Sequence, residues 1–161
     1  QQMVEYFRDT PIILRFIEYT DVGNINHWKI SDTVPSEELL KAINSIWPIE
    51  SIDQNYHGEV ASRYRFKDGR GEIGFISSVT EPFCRSCTRA RLSSDGKLYN
   101  CLFATSGQDL KLWLRAGLTD QEIQEKIYEI WTEREDRYSE LRAVNQTSLG
   151  KKKVEMYYIG G

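Results

Sequence analysis

Three residues in this chain are typed and spaced for metal chemistry: Cys84 and Cys87, flanking Arg85-Ser86, and Cys101 after thirteen intervening residues. They are all the cysteines the chain has. Thiolates are soft ligands for iron–sulfur clusters and for structural zinc, and both centres favour four protein ligands. A three-cysteine set therefore either recruits a histidine or leaves one metal position open. The histidines are His27 and His57, and neither stands at close ligand spacing to the cysteines. Arg89 and Arg91 follow the second cysteine, and guanidinium forks suit phosphate and carbonyl oxygens.

The background to this set is an ordinary globular composition. Of 161 residues, 40% are hydrophobic and 28% charged, enough for a core-forming domain. With a cytoplasmic location expected, for want of a signal peptide or spanning run, an odd cysteine count argues against a disulfide framework and for metal or catalysis. The net charge of −3 gives no case for nucleic-acid binding. No membrane association is expected either: no signal peptide is visible, and the longest apolar run falls far short of the roughly 20 residues that span a bilayer. The chain opens on Gln1-Gln2 without an initiator methionine and runs almost directly into an apolar stretch, which suggests a piece of a longer protein.

The elements that position the cysteines are read from periodicity and punctuation. Residues 12–19 are mostly β-branched, aromatic or leucine, which predicts a strand buried on both faces in a parallel α/β setting. A helix is expected over residues 36–47, with Ser36 as its cap, Leu39, Leu40, Ile43 and Trp47 on one face, and Pro48 as its stop. Residues 60–66 and 71–77 read as two strands joined through Asp68-Gly69, where the pattern turns antiparallel.

Beyond the CxxC pair, residues 88–92, an Asp95-Gly96 turn and residues 97–103 form a second expected hairpin, which carries Cys101 back toward the other cysteines. Two registers are open. A two-residue loop at Asp95-Gly96 sets Cys101 opposite Ala90, with both arginines on the other face. A three-residue loop with Gly96 left-handed sets Cys101 opposite Arg89 and on the face of both arginines, and we favour it because it puts two cations beside the metal. A short helix is expected over residues 109–115, ended by Gly117. A capping box at residues 119–122 opens a longer one, with Ile123, Ile127, Ile130, Trp131, Tyr138 and Leu141 at helical spacing to pack on the sheet and residues 133–136 on its solvated side. The apolar, aromatic end finishing in Gly160-Gly161 is unusual for a frayed tail, and glycines let backbone approach a ligand closely.

Together, Gly74-Phe75-Ile76-Ser77, Pro82-Phe83-Cys84, Cys87, Arg89, Arg91-Leu92, Asp95-Gly96, Cys101-Leu102-Phe103, Asp109-Leu110, Leu114-Arg115 and the final Gly160-Gly161 resemble the C-terminal half of the MoaA family. These are the radical S-adenosylmethionine GTP 3′,8-cyclases of molybdenum cofactor biosynthesis. Leu14-Arg15-Phe16-Ile17-Glu18 with Val22-Gly23 also resembles a late barrel strand and loop of that family. The resemblance implies an α/β to α+β fold: residues 1–55 as the last strands of an incomplete TIM-like barrel, and residues 56–161 as a C-terminal domain with a small antiparallel sheet and C-terminal helices.

It also implies a site. The family carries two 4Fe-4S clusters. One sits on an N-terminal CxxxCxxC motif that binds S-adenosylmethionine and is absent from this sequence; the other is held by cysteines matching Cys84, Cys87 and Cys101. The open iron of the second cluster takes the guanine of GTP, while arginines matching Arg89 and Arg91 contact the nucleotide. Arg15 is a further candidate for GTP, or a structural ion-pair partner. Gly160 and Gly161 match a double glycine that supports radical formation. In the whole enzyme a 5′-deoxyadenosyl radical abstracts the ribose 3′ hydrogen and the ribose carbon attacks purine C8. The expected partners are GTP, a second copy in a homodimer, and the cyclic pyranopterin monophosphate synthase that takes the product. The chain by itself is expected to be inactive. The rival readings are a Cys3His zinc domain completed by His27 or His57, and a nucleotide-binding module without catalysis.

Overall fold

The computed structural model describes residues 1–142 and 152–159, which form two compact units. The first comprises Gln1–Thr20 and Trp28–Cys87, the second Asp21–His27 and the chain from Thr88 onward. The content is mixed α/β, with a four-stranded sheet in the first unit and a three-stranded antiparallel sheet in the second. No helix among the described residues is long and apolar enough to cross a membrane.

In the first unit the sheet order is β1 (Leu14–Ile17), β4 (Glu72–Ile76), β3 (Ser62–Phe66), β2 (Ile49–Ile52). β1 and β4 run parallel, and the other two pairs are antiparallel, so the expected switch of pattern occurs at the β3–β4 hairpin. Opposite residues share a face, and one face carries Phe16, Phe75, Ile73, Tyr64, Phe66 and Ile49. Ile43 of α2 (Ser36–Ile46) and Val4 of α1 (Gln2–Phe7) complete this core, with Leu39, Leu40 and Trp47 packed against it. The helix face read from the sequence is thus the buried one.

Three expectations for this unit are corrected. β1 is not buried on both faces: as an edge strand it turns Leu14 and Phe16 inward and leaves Ile17 65% exposed. Ser36 is not the cap of α2; Pro35 holds that position, and the Ser36 N–H donates to the buried carboxylate of Glu18 (2.9 Å), which serves the helix terminus in place of a local side chain. The start of the chain is not a direct run into a strand, because α1 precedes it and β2 follows α2, both unread in the sequence.

In the second unit β5 (Arg91–Leu92), β6 (Lys97–Tyr99) and β7 (Gln108–Asp109) form the small sheet. α3 (Leu110–Arg115) begins at Asp109, whose carboxylate accepts from Leu112 N (2.8 Å), and ends before Gly117 at φ +80°. α4 (Asp120–Thr132) opens on the expected Thr119/Glu122 capping box. The single long helix does not form. Thr132 Oγ1 turns back toward the carbonyls of Tyr128 and Glu129, a local bond that competes with continuation, and α5 (Tyr138–Arg142) is separate. α4 lies chiefly against α3, which lies on β6.

Candidate functional site

In the first unit, the route from β4 to the CxxC pair is fastened by Glu18, at the end of β1. Its carboxylate accepts from Val79 N (2.8 Å), Thr80 N (2.9 Å) and Thr80 Oγ1 (2.5 Å) besides Ser36 N. Burial would raise the Glu18 pKa, but these donors outweigh it and hold it below the ordinary value, so Glu18 is a fully engaged anion. Beyond that anchor Cys84–Ser86 form a single 3-10 turn, closed by Cys87 N donating to Cys84 O (3.3 Å). The turn brings Cys84 and Cys87 onto one loop, and both thiols are half-buried.

In the second unit the hairpin settles the choice of register. Arg91 pairs with Tyr99 and Leu92 with Leu98, Ser93 N donates to Lys97 O (2.9 Å), and Gly96 is left-handed at φ +88°. This is the three-residue loop. The ladder ends at Arg91–Tyr99, and Arg89 and Cys101 each lie two residues beyond it. Both arginines are half-buried. The turn is held from outside by Gly96 O, which accepts from Leu110 N (3.0 Å) at the start of α3.

Cys101 opens a tight turn of its own. Ala104 N donates to Cys101 O (3.2 Å), and Phe103 N donates to the sulfur (3.4 Å), the kind of bond that tunes a thiolate ligand. The preceding residue is clamped by the end of α4: Asn100 O accepts from Arg134 Nη2 (2.7 Å), and Asn100 Nδ2 donates to Ile130 O (3.4 Å). Arg134 also stacks over Trp131 at 5.0 Å and pairs with Asp136, so it is not part of a merely solvated face as the sequence suggested.

The segment near the end of the chain packs against this turn. Val154 N donates to Ala104 O (2.9 Å), Ile159 is fully buried, and Tyr158 OH donates to Asp95 Oδ2 (2.5 Å) in the hairpin turn. Hydrogen bonds from Ser93 and Tyr158 hold Asp95 down to about 2, and the bond to Asp95 pushes Tyr158 up to about 12. Lys153 is buried and bonds Asp21 Oδ2 (2.5 Å) and Asp21 O (2.7 Å). Asp21 also accepts from Tyr138 OH (2.5 Å) and pairs with Arg142 (2.8 Å). Burial raises its pKa, and these donors more than offset that, leaving it below the ordinary value. Asp21, Asn24 and Lys153 were not singled out in the sequence, because their partners lie far along the chain; Gly23 beside Asn24 was the one local signal. Gly160 and Gly161 lie outside the described residues.

Arg15, in the first unit, pairs with Glu59 (3.2 Å), whose side chain is buried and also accepts from Asn55 N (2.7 Å). The guanidinium stays 40% exposed, so the structural pairing read from the sequence is present and part of the group still faces solvent. His27 belongs to the second unit and His57 to the first. Among the described residues no group of three or more His, Cys, Asp or Glu side chains is gathered so as to hold a metal ion. By chemistry the donors still fit an iron–sulfur centre: soft thiols, two of them on one turn and the third carrying an N–H···S bond.

Residues 12–140 match the family described as Molybdenum Cofactor Synthesis C. Relatives named GTP 3′,8-cyclase include proteins of Acidothermus cellulolyticus (45% identical, covering 100% of this chain and 51% of the relative) and Staphylococcus carnosus (48%, covering 99% and 47%). A Xanthomonas campestris pv. campestris relative of the same name is 50% identical, covering 99% of this chain and 46% of its own length. The chain thus spans about half the length of the curated relatives it matches.

Proposed function

This chain belongs to the Molybdenum Cofactor Synthesis C family, and on that premise we propose that it is the substrate-binding C-terminal portion of a GTP 3′,8-cyclase, which converts GTP to a cyclic dehydro-GTP precursor of the molybdenum cofactor pterin. In this reading residues 1–55 are the last part of a barrel, residues 56–161 form the C-terminal domain, and Cys84, Cys87 and Cys101 hold a 4Fe-4S cluster. When bound, that cluster supplies an open iron as a Lewis-acidic site for the guanine. Arg89 and Arg91 bind and orient the nucleotide through charge-assisted forks. Arg15 adds a cation whose position is set by Glu59, and Gly160 and Gly161 support radical formation. S-adenosylmethionine and its own cluster belong to the length of the relatives that this chain does not span, so the chain alone turns over no GTP. The enzyme is read as a cytoplasmic homodimer that passes its product to the cyclic pyranopterin monophosphate synthase.

The observation that most supports the reading is the hairpin register, which pairs Arg91 with Tyr99, two residues before Cys101. A charged hydrogen bond to a ligand contributes about 1.5–3 kcal/mol. Arg89→Ala and Arg91→Ala in the reconstituted protein should therefore each weaken GTP binding, measured by titration calorimetry, by roughly tenfold or more. Unchanged affinity in both would remove the arginines from the site.

A further inference from the structure

The segment 153–155 is bound in a cradle that the cluster chemistry does not itself require. Lys153 N donates to Asn24 Oδ1 (3.0 Å), and Asn24 Nδ2 donates back to Lys153 O (2.7 Å), so a side-chain amide pairs with the backbone as a strand would. Glu155 Oε1 accepts from Asn24 N (3.0 Å) and Asn24 Nδ2 (2.7 Å). Gly23 is left-handed at φ +70°, and a Cβ there would lie 2.2 Å from Glu155 Oε2. The Lys153 ammonium is inserted between the Asp21 carboxylate and two rings, 5.4 Å from the Phe103 centroid and 4.7 Å from that of Tyr138. Those rings stack at 4.5 Å, and Arg142 lies 5.0 Å from Phe103 on the same pair.

Phe103 links this cradle to the metal ligand. Its backbone N–H is the donor to Cys101 Sγ, and the next residue, Ala104, receives the Val154 N–H while its own N–H closes the Cys101 turn. The same short stretch thus has its backbone committed to the thiol and its side chain committed to the buried cations. A shift of Lys153 would remove the cation that sits against the ring of Phe103, the residue whose N–H is aimed at the sulfur.

We infer that Lys153, held by Asp21 and Asn24, is a positioning residue for Cys101: docking of residues 153–155 sets the N–H···S bond and so the environment of the cluster ligand. The inference rests on the proposed role of Cys101 and goes beyond it by coupling the end of the chain to that ligand. Outer-shell partners of metal ligands typically contribute 10- to 100-fold to metal retention, and hydrogen bonds to sulfur shift cluster properties.

The test uses the protein reconstituted anaerobically with iron and sulfide, following iron release to a chelator and the electron paramagnetic resonance signal of the reduced cluster. Lys153→Met and the milder Asn24→Ala, which leaves no buried charge unpaired, should both release iron roughly tenfold faster and shift the g-values, a readout that loss of stability alone does not move. Parent-like release and g-values in Asn24→Ala, or in both variants, would overturn the coupling while leaving the cluster assignment intact. No cluster in the parent protein would overturn both.

Discussion

Asp21 concentrates more opposing forces than its place in a loop suggests. Its side chain is buried, yet it stays ionised because Lys153, Arg142 and Tyr138 surround it. Its folded pKa lies below the ordinary 3.8, so its contribution to stability is complete above that pH and is lost as acid drives the pH down through the lowered value. Asp21→Asn removes this dependence. In urea melts the variant should be less stable than the parent at pH 7, since removing one partner of a buried pair costs about 3–5 kcal/mol, and should show a shallower loss of stability between pH 5 and acid extremes. Parallel acid limbs in the two proteins would contradict the assigned role of Asp21. Glu18 illustrates the same principle in the first unit, where four donors commit a carboxylate to structure and leave it none of the character of a catalytic base.

At the scale of elements, what the sequence made legible followed local rules. The β3–β4 hairpin, the Thr119/Glu122 box and the apolar face of α2 depend on residues within a few positions of one another, and all three form. The β5–β6 turn was readable from Asp95-Gly96, which left two registers open; the favoured three-residue loop, with Gly96 left-handed, is the one that forms. Gly96→Ala should lower stability by about 1–3 kcal/mol, since its Cβ would also sit 2.8 Å from Lys111 Cβ; a thermal melt matching the parent would contradict this. What escaped depended on distance along the chain. β1 was misjudged as doubly buried because edge position is a property of the sheet, and the cap of α2 was misplaced because Glu18, remote in sequence, supplies the acceptor. The insertion of Lys153 beside Asp21 depends likewise on a contact far along the chain, while the break after Thr132 accompanies a local side-chain bond that no helical period reports. The cysteines and arginines were legible as chemistry; the clamp on Asn100 and the cradle under Lys153 were not.

For the molecule as a whole, the proposed ligands are divided between the two units, Cys84 and Cys87 in the first and Cys101 in the second, and the chain passes directly from Cys87 into the arginine strand. Its formal charge of −3 contributes little general attraction for a polyanion, so the nucleotide binding proposed above would rest on local cations such as Arg89 and Arg91 and on the proposed cluster. The chain covers about half the length of its relatives, and its three cysteines leave none for a CxxxCxxC motif, which confines its proposed part to holding substrate. The most direct test of that claim is an anaerobic iron and sulfide determination after reconstitution, with Mössbauer spectra recorded before and after GTP is added. One 4Fe-4S cluster per chain, with a single iron site altered by GTP, is the result expected. Stoichiometric zinc without a cluster, or a cluster whose spectrum GTP leaves unchanged, would contradict it.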